Sequence, residues 1–192
     1  MSSLAENFNE LRARVKQGRE LNFTSFEPIF YLVYEPSQII EVKRKLRSWV
    51  ATLSRKDGFK VSQFSIAQEI HKIIENHKWK ELWFKHEEKK GFDNPTYAKT
   101  IKEALISKNG LLDKFEKKLA DLSEQDNGLL LVSDVEALHP FLRVGQIEAH
   151  LQNKIETPTI FLYPGKRTGK TGLKFLGFYP DDGNYRSVHV GG

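Results

Sequence analysis

The residues with most chemical promise lie between Pro158 and Tyr179, where Gly165, Lys166, Arg167, Gly169, Lys170 and Thr171 stand close together. Gly169-Lys170-Thr171 has the composition of the end of a phosphate-binding loop, whose backbone amides and lysine cradle phosphates. Two features argue against that chemistry. The motif's spacing requires a glycine at position 164, and the chain has Pro164 there. A phosphate grip also uses the N-terminus of a following helix, whereas Gly172 leads into Leu173 to Tyr179, an apolar run of β type. A basic, glycine-rich strand connection is the better reading. A degenerate nucleotide binder using Gly165 to Thr171 is the weaker alternative.

Other reactive groups are scattered. Asp134 follows an aliphatic run and resembles the metal-holding acid of an NTPase, but it precedes the glycine loop, the reverse of the usual order. A turn or cap role suits it better. His139 beside Pro140 reads as a turn residue before a catalytic base. His71, His77 and His86 are spaced by six and nine, and two imidazoles share a helix face only at three or four. No serine sits in a Gly-x-Ser-x-Gly elbow. Cysteine is absent, which excludes disulfides, thiol nucleophiles and thiolate metal sites. These residues form no catalytic constellation and call for no cofactor and no metal.

The polyanion-binding alternative rests on Lys166, Arg167, Lys170, Lys174 and Arg186. The net charge of +5 supports it only mildly, because 30 basic residues face 25 acidic ones. No apolar run approaches the ~20 residues of a membrane span, and the N-terminus lacks the pattern of a secretory signal. A cytoplasmic protein with no membrane partner is expected.

The elements that must position these groups follow from hydrophobic period. Leu4, Phe8, Leu11 and Val15 make a helical stripe that Gly18 can end. Ile29 to Tyr34 is a buried strand; Ser37 caps a helix carrying Ile39, Ile40, Val42, Leu46, Trp49, Val50 and Leu53; Phe59 to Ser65 is a second strand. This is a βαβ unit, which favours parallel pairing. From Ile66 to about Leu122 the chain is a charged, amphipathic helical insertion, broken at Gly91 to Pro95 and at Asn109-Gly110. Within it Trp79 and Trp83, at i and i+4, are either core or a partner-facing patch, core being the usual fate of tryptophan. Leu129 to Val132 is the third strand, and Pro140 to Ile155 reads as a helix. Thr159 to Tyr163 is a strand stopping at Pro164-Gly165, and Leu173 to Tyr179 is the next. Asp181 to Asn184 signals a hairpin turn, and Tyr185 to Val190 an edge strand. The fold class is α/β: one domain spanning 1–192, a mainly parallel sheet flanked by helices, an antiparallel C-terminal hairpin and the helical insertion.

The order of these motifs is informative. Phe30 to Pro36, Leu129 to Val132 leading to His139-Pro140-Phe141-Leu142-Arg143, Tyr163-Pro164-Gly165, Leu176-Gly177 and Asn184-Tyr185-Arg186 together resemble the BrxB family of bacteriophage exclusion (BREX) systems. The resemblance runs nearly end to end. Its strongest part is Tyr163, Pro164 and Gly165 followed by Gly177, Tyr185 and Arg186. The chain departs from the family pattern at Glu35, where Asp is usual, and at Ser133-Asp134 and Glu136, where a small-residue turn is usual. The resemblance implies a non-enzymatic component of an anti-phage system that methylates host DNA. It further implies an adaptor whose direct partner is the PglZ alkaline-phosphatase-like protein, with the methyltransferase, other BREX components and DNA as further candidates. The contact surface is either the helical insertion, with Trp79 and Trp83, or the basic loop at Lys166 to Lys170.

Overall fold

All six residues of Ile29–Tyr34 are buried, as are all six of Gly128–Ser133 and the first seven of Thr159–Thr168. Strands apolar on both faces need a layer on each side, and the chain supplies two layers of helix. The computed structural model describes residues 2–20, 28–90, 95–151, 154–169, 172–181 and 187–192, with backbone only at 19–20, 86–90 and 95. The elements in order are α1 (Leu4–Glu20), β1 (Ile29–Tyr34), α2 (Ile39–Arg55), β2 (Lys60–Ser65), α3 (Ile66–Glu75), α4 (Lys80–Lys90), α5 (Pro95–Ile106), α6 (Leu111–Ser123), β3 (Gly128–Ser133), α7 (Val144–Leu151), β4 (Thr159–Thr168), β5 (Gly172–Phe175) and β6 (Val188–Gly191).

The sheet runs β2-β3-β4-β1-β6, every neighbour parallel, with β5 joining β4 antiparallel. Alternation along the strands sorts the core into two. Phe30, Leu32, Tyr34, Leu129, Leu131, Ile160 and Leu162 pack under α1 and α2, against Leu4, Phe8, Leu11, Val15, Val42, Trp49 and Leu53. Tyr31, Val33, Leu130, Val132, Phe161 and Tyr163 pack under the helices of the insertion and α7. The fold is therefore α/β with a mainly parallel sheet flanked by helices, as the hydrophobic pattern predicts.

Several local expectations are corrected. α1 runs through Gly18 to Glu20. A 3-10 turn, Pro36–Gln38, absorbs Ser37, so Gln38 rather than Ser37 precedes α2. Parallel direction holds for β1 and β2, but β3 and β4 lie between them. The helix expected from Pro140 forms only at Val144–Leu151. β4 does not stop at Pro164-Gly165: it continues to Thr168, and its outer half pairs with β5. The antiparallel hairpin is thus β4–β5, while β6 runs parallel to β1 at the sheet edge. β5 ends at Phe175 because Leu176 and Gly177 take positive φ angles of 51° and 77°. The hairpin turn expected at 181–184 and the break expected at 91–95 lie outside the described residues, apart from Asp181 and from Pro95, which opens α5.

Gly165 makes the β4–β5 pairing possible. An added Cβ there would stand 2.4 Å from the Lys174 carbonyl oxygen and 2.6 Å from Tyr163 Cε1. Gly165→Ala should therefore lower stability by about 2 kcal/mol or more, read as a reduced urea midpoint; an unchanged midpoint would refute the close approach. On the opposite layer, Arg12 grips Asp57 in a bidentate pair at 2.7 and 2.9 Å, with Asp57 almost fully buried. Asp57→Ala strands the arginine and should cost about 2 kcal/mol, less than the deepest pairs because Arg12 is partly exposed. Thermal unfolding at neutral pH checks it.

Candidate functional site

In open parallel sheets, side chains converge beyond the carboxyl ends of the strands. Here that edge gathers Tyr34 and Glu35 from β1, Ser65 from β2, Ser133 and Asp134 from β3, and Pro164 onward from β4, because register places Ser65 opposite Ser133 and Tyr34 opposite Pro164.

The first grouping is charged. Asp134 sits in the left-handed region at φ 57°, which an aspartate tolerates better than most residues. It accepts hydrogen bonds from Ser65 Oγ at 2.6 Å and Ser133 Oγ at 3.0 Å. Lys43, reaching over from α2, lies 2.9 Å from Asp134 and 2.7 Å from Glu136. Burial pushes Asp134 up, but the hydrogen bonds from Ser65, Lys43 and Ser133 and the lysine's charge outweigh it and hold the carboxyl below its usual range. Burial likewise lowers Lys43, and its bonds to Glu136 and Asp134 reverse the sign and raise it. Tyr34, buried beside both acids, is kept neutral well above the usual tyrosine value, first by burial and then by the two negative charges. Ser65 Oγ also caps α3 by accepting from the Gln68 amide. Two carboxylates, one ammonium and two hydroxyls thus form a clamp joining β2, β3 and α2. Asp134 is the turn residue its position suggested.

The second grouping is aromatic. The β5 turn folds back by hydrogen bonds from Leu176 to Pro164, Gly177 to Lys174 and Tyr179 to Phe175. This lays Phe175 against the Tyr163 and Tyr179 rings at 5.5 and 5.7 Å. His139 Nδ1 and the Tyr179 hydroxyl hydrogen-bond each other, and the Arg143 guanidinium lies 4.6 Å from the Tyr179 ring centre. Phe178 caps the group, 4.7 Å from Tyr179 and 64% exposed. The motif residue Tyr163, followed by Pro164 and Gly165, is thus linked through Phe175 and Tyr179 to His139 and Arg143, and Gly177 lies in the turn between Phe175 and Tyr179. Tyr185 and Arg186 lie outside the described residues.

Beside this group runs the basic ribbon. Lys166 and Lys174 are register partners, and Lys166 lies 3.5 Å from Glu35. Arg167 is exposed. Lys170 lies outside the described residues, as does Thr171. β5, and not a helix, follows the loop in the chain. The two tryptophans part company. Trp83 is 2% exposed, donates from Nε1 to Thr100 Oγ1 at 3.0 Å and stacks on His77 at 4.4 Å. Trp79 stands above it, 41% exposed. Among the described residues no three His, Asp or Glu side chains are placed to share a metal ion, and no helix is long and apolar enough to cross a membrane. Sequence reading missed Lys43, Phe178 and Tyr179 as site residues, and named Arg143 only within the family motif. Gly177 was the available signal, since a glycine inside a strand pattern marks a bend.

The class these features define is a three-layer α/β protein with an aromatic and basic surface at the carboxyl edge of its sheet. A family model described as BREX protein BrxB matches residues 62–190. The chain belongs to the BrxB family, and so is a component of a BREX phage-defence system, in an accessory family rather than a known enzyme family. That membership makes other BREX components its expected partners. No curated protein and no solved structure matches the chain.

His189, on β6, sits edge-on to Tyr31 at 5.3 Å with Ser187 Oγ 3.0 Å from Nε2. Burial, and next the charge of Arg167, lower its pKa to about 4. The unfolded chain takes up a proton near the ordinary value of 6.5 that the folded chain refuses. Stability contributed here is full above about pH 6.5 and is lost as pH falls toward about 4. His189→Gln should flatten that limb in urea titrations; parallel slopes for the two proteins would refute it.

Proposed function

We propose that this protein is a non-enzymatic adaptor that binds the PglZ-like alkaline-phosphatase-fold protein of its BREX system and so supports host DNA methylation and phage restriction. The observation that supports this reading best is the outer side of the helical insertion. α4 leaves Leu82 and Phe84 facing solvent, 51% and 38% exposed, and Trp79, just before it, is 41% exposed. Lys78 lies 5.5 Å from the Trp79 ring centre and Lys80 5.9 Å from that of Phe84. Large apolar rings with cations laid on them, held out from a helix, are what interface anchors are made of.

Trp83 matters here as a support. Buried beneath Trp79 at 6.5 Å and bonded to Thr100, it ties α4 to α5. An anchor held by a rigid base loses less side-chain freedom on binding. Trp79 is thus the contact residue and Trp83 the positioning one. Family membership supplies the kind of partner, and the resemblance supplies the PglZ-like protein as the first to test.

Size-exclusion chromatography of the co-expressed pair at moderate salt should give one co-eluting peak. Trp79→Ala with Leu82→Ala should weaken the complex by about tenfold or more, since an anchor truncation typically exceeds 1 kcal/mol, while thermal stability stays within a few degrees. Separate elution of the unmodified proteins would sink the adaptor reading.

A further inference from the structure

Among the helices, α2 carries the excess of positive charge. It holds Lys43, Arg44, Lys45, Arg47 and Arg55 against one acid, Glu41. That is an excess of four in a chain whose net charge is +5. In no other helix do lysine and arginine outnumber the acids by more than one. α2 also packs on the opposite layer of the sheet from α4, so its outer face is separate from the surface at Trp79.

Helical spacing sorts these cations. Residues advance by about 100° per position around an α-helix, so Arg44, Arg47, Ala51 and Arg55 fall within an arc of about 80°. That arc lies opposite the buried side made by Val42, Trp49 and Leu53. All three arginines are exposed, and together they span about 16 Å of helix. Lys43 leaves the arc for Asp134 and Glu136, and Lys45 pairs with Glu41 at 3.6 Å. Among the described residues none of the three arginines is in an ion pair. Arg44 and Arg47 stand three residues apart, a spacing at which like charges disfavour a helix. The acids nearby are engaged elsewhere. Asp57, just beyond α2, is buried with Arg12 and Lys16. Glu10 meets Arg14 at 3.4 Å on α1, which lies beside α2 through Phe8 stacked on Trp49. Glu35 meets Lys166 at 3.5 Å.

A guanidinium stays charged and matches phosphate geometry with its planar fork. Duplex DNA carries one negative charge per about 1.7 Å of its axis, so three arginines along one helix face find phosphates in any register. The face offers no ring for an unstacked base, because Trp49, the one aromatic residue of α2, is buried. Nor does it offer a membrane an apolar side: Ile40 is the one large hydrophobic residue that α2 exposes. We propose that the outer face of α2 binds the phosphate backbone of double-stranded DNA, without sequence preference, through Arg44, Arg47 and Arg55.

The probe is a labelled DNA duplex of mixed sequence, with one of its strands alone as comparison, followed by fluorescence anisotropy across a salt series. The full chain should bind the duplex with an affinity that falls as salt rises. Arg44→Ala with Arg47→Ala and Arg55→Ala should reduce the slope of log affinity against log salt by about 2.7, three phosphate contacts at about 0.9 each. Lysine at the same three positions keeps the charge and should keep most of that slope. Exposed sites and the high helix propensity of alanine leave α2 intact, which a matched melting temperature verifies. Absent or salt-insensitive duplex binding, an unchanged slope in the alanine protein, or tighter binding of the single strand overturns the proposal. So does an alanine protein that keeps its duplex affinity but no longer co-elutes with the PglZ-like protein, which would give α2 to a protein partner.

Discussion

The structure turns on what β4 does at Pro164 and Gly165. Up to Tyr163 this strand lies in the middle of a parallel sheet, hydrogen-bonded to β1 and β3 and buried on both faces. From Gly165 onward its partner is β5, running the other way. Two residue types make the change possible. Proline has no amide hydrogen to give a ladder, so it suits the point where one pairing ends. Glycine has no Cβ, and the Lys174 carbonyl and Tyr163 ring occupy the space one would need. With bulkier residues the ribbon could not fold back, and Phe175, Phe178 and Tyr179 would have no fixed place above the sheet.

Around that strand, the polar groups at the carboxyl edge are mostly spoken for. Asp134 and Glu136 share Lys43, and Ser65 divides its hydroxyl between a carboxylate and the cap of α3. A buried carboxylate without partners would be far too costly, so this network is what lets an acid sit where β2 and β3 end. Phe178 stays exposed at this edge, as do Lys166 and Arg167 on the ribbon.

Local pattern carried much of this. Ile29 to Tyr34 reads as a buried strand from its β-branched and aromatic run, and the stripe Leu4, Phe8, Leu11, Val15 reads as a helix; both form, and those four stripe residues are buried. The order of strands was not legible, because pairing is decided by which apolar faces meet after the helices are placed. β1 and β2 look like neighbours from the length of their crossover and are not. The turn at Leu176-Gly177 was hidden by apolar residues on both sides, which kept Phe178 inside a strand pattern. The contacts of Lys43 and Arg143 were unreadable for a different reason. Each acts on a partner distant in sequence, Asp134 and Tyr179, and a single lysine or arginine carries no mark of what it will touch. Trp79 and Trp83 show the limit within a helix, since i, i+4 spacing places two side chains on one side without saying which of them stays in water.

The exposed surfaces at Trp79 and at Phe178 rest on the same half of the core. Trp83, beneath Trp79, belongs to the hydrophobic cluster that also holds Phe141, Leu142, Tyr163 and Phe175, with Tyr179 packed against it. The cluster under α1 and α2 is separate, with the sheet between. The family match, residues 62–190, contains every described residue of both surfaces. The alternation of β1, β3 and β4 gives the two surfaces a shared core: each odd-numbered core residue from Tyr31 to Val33 and from Phe161 to Tyr163 points to the side on which both are built.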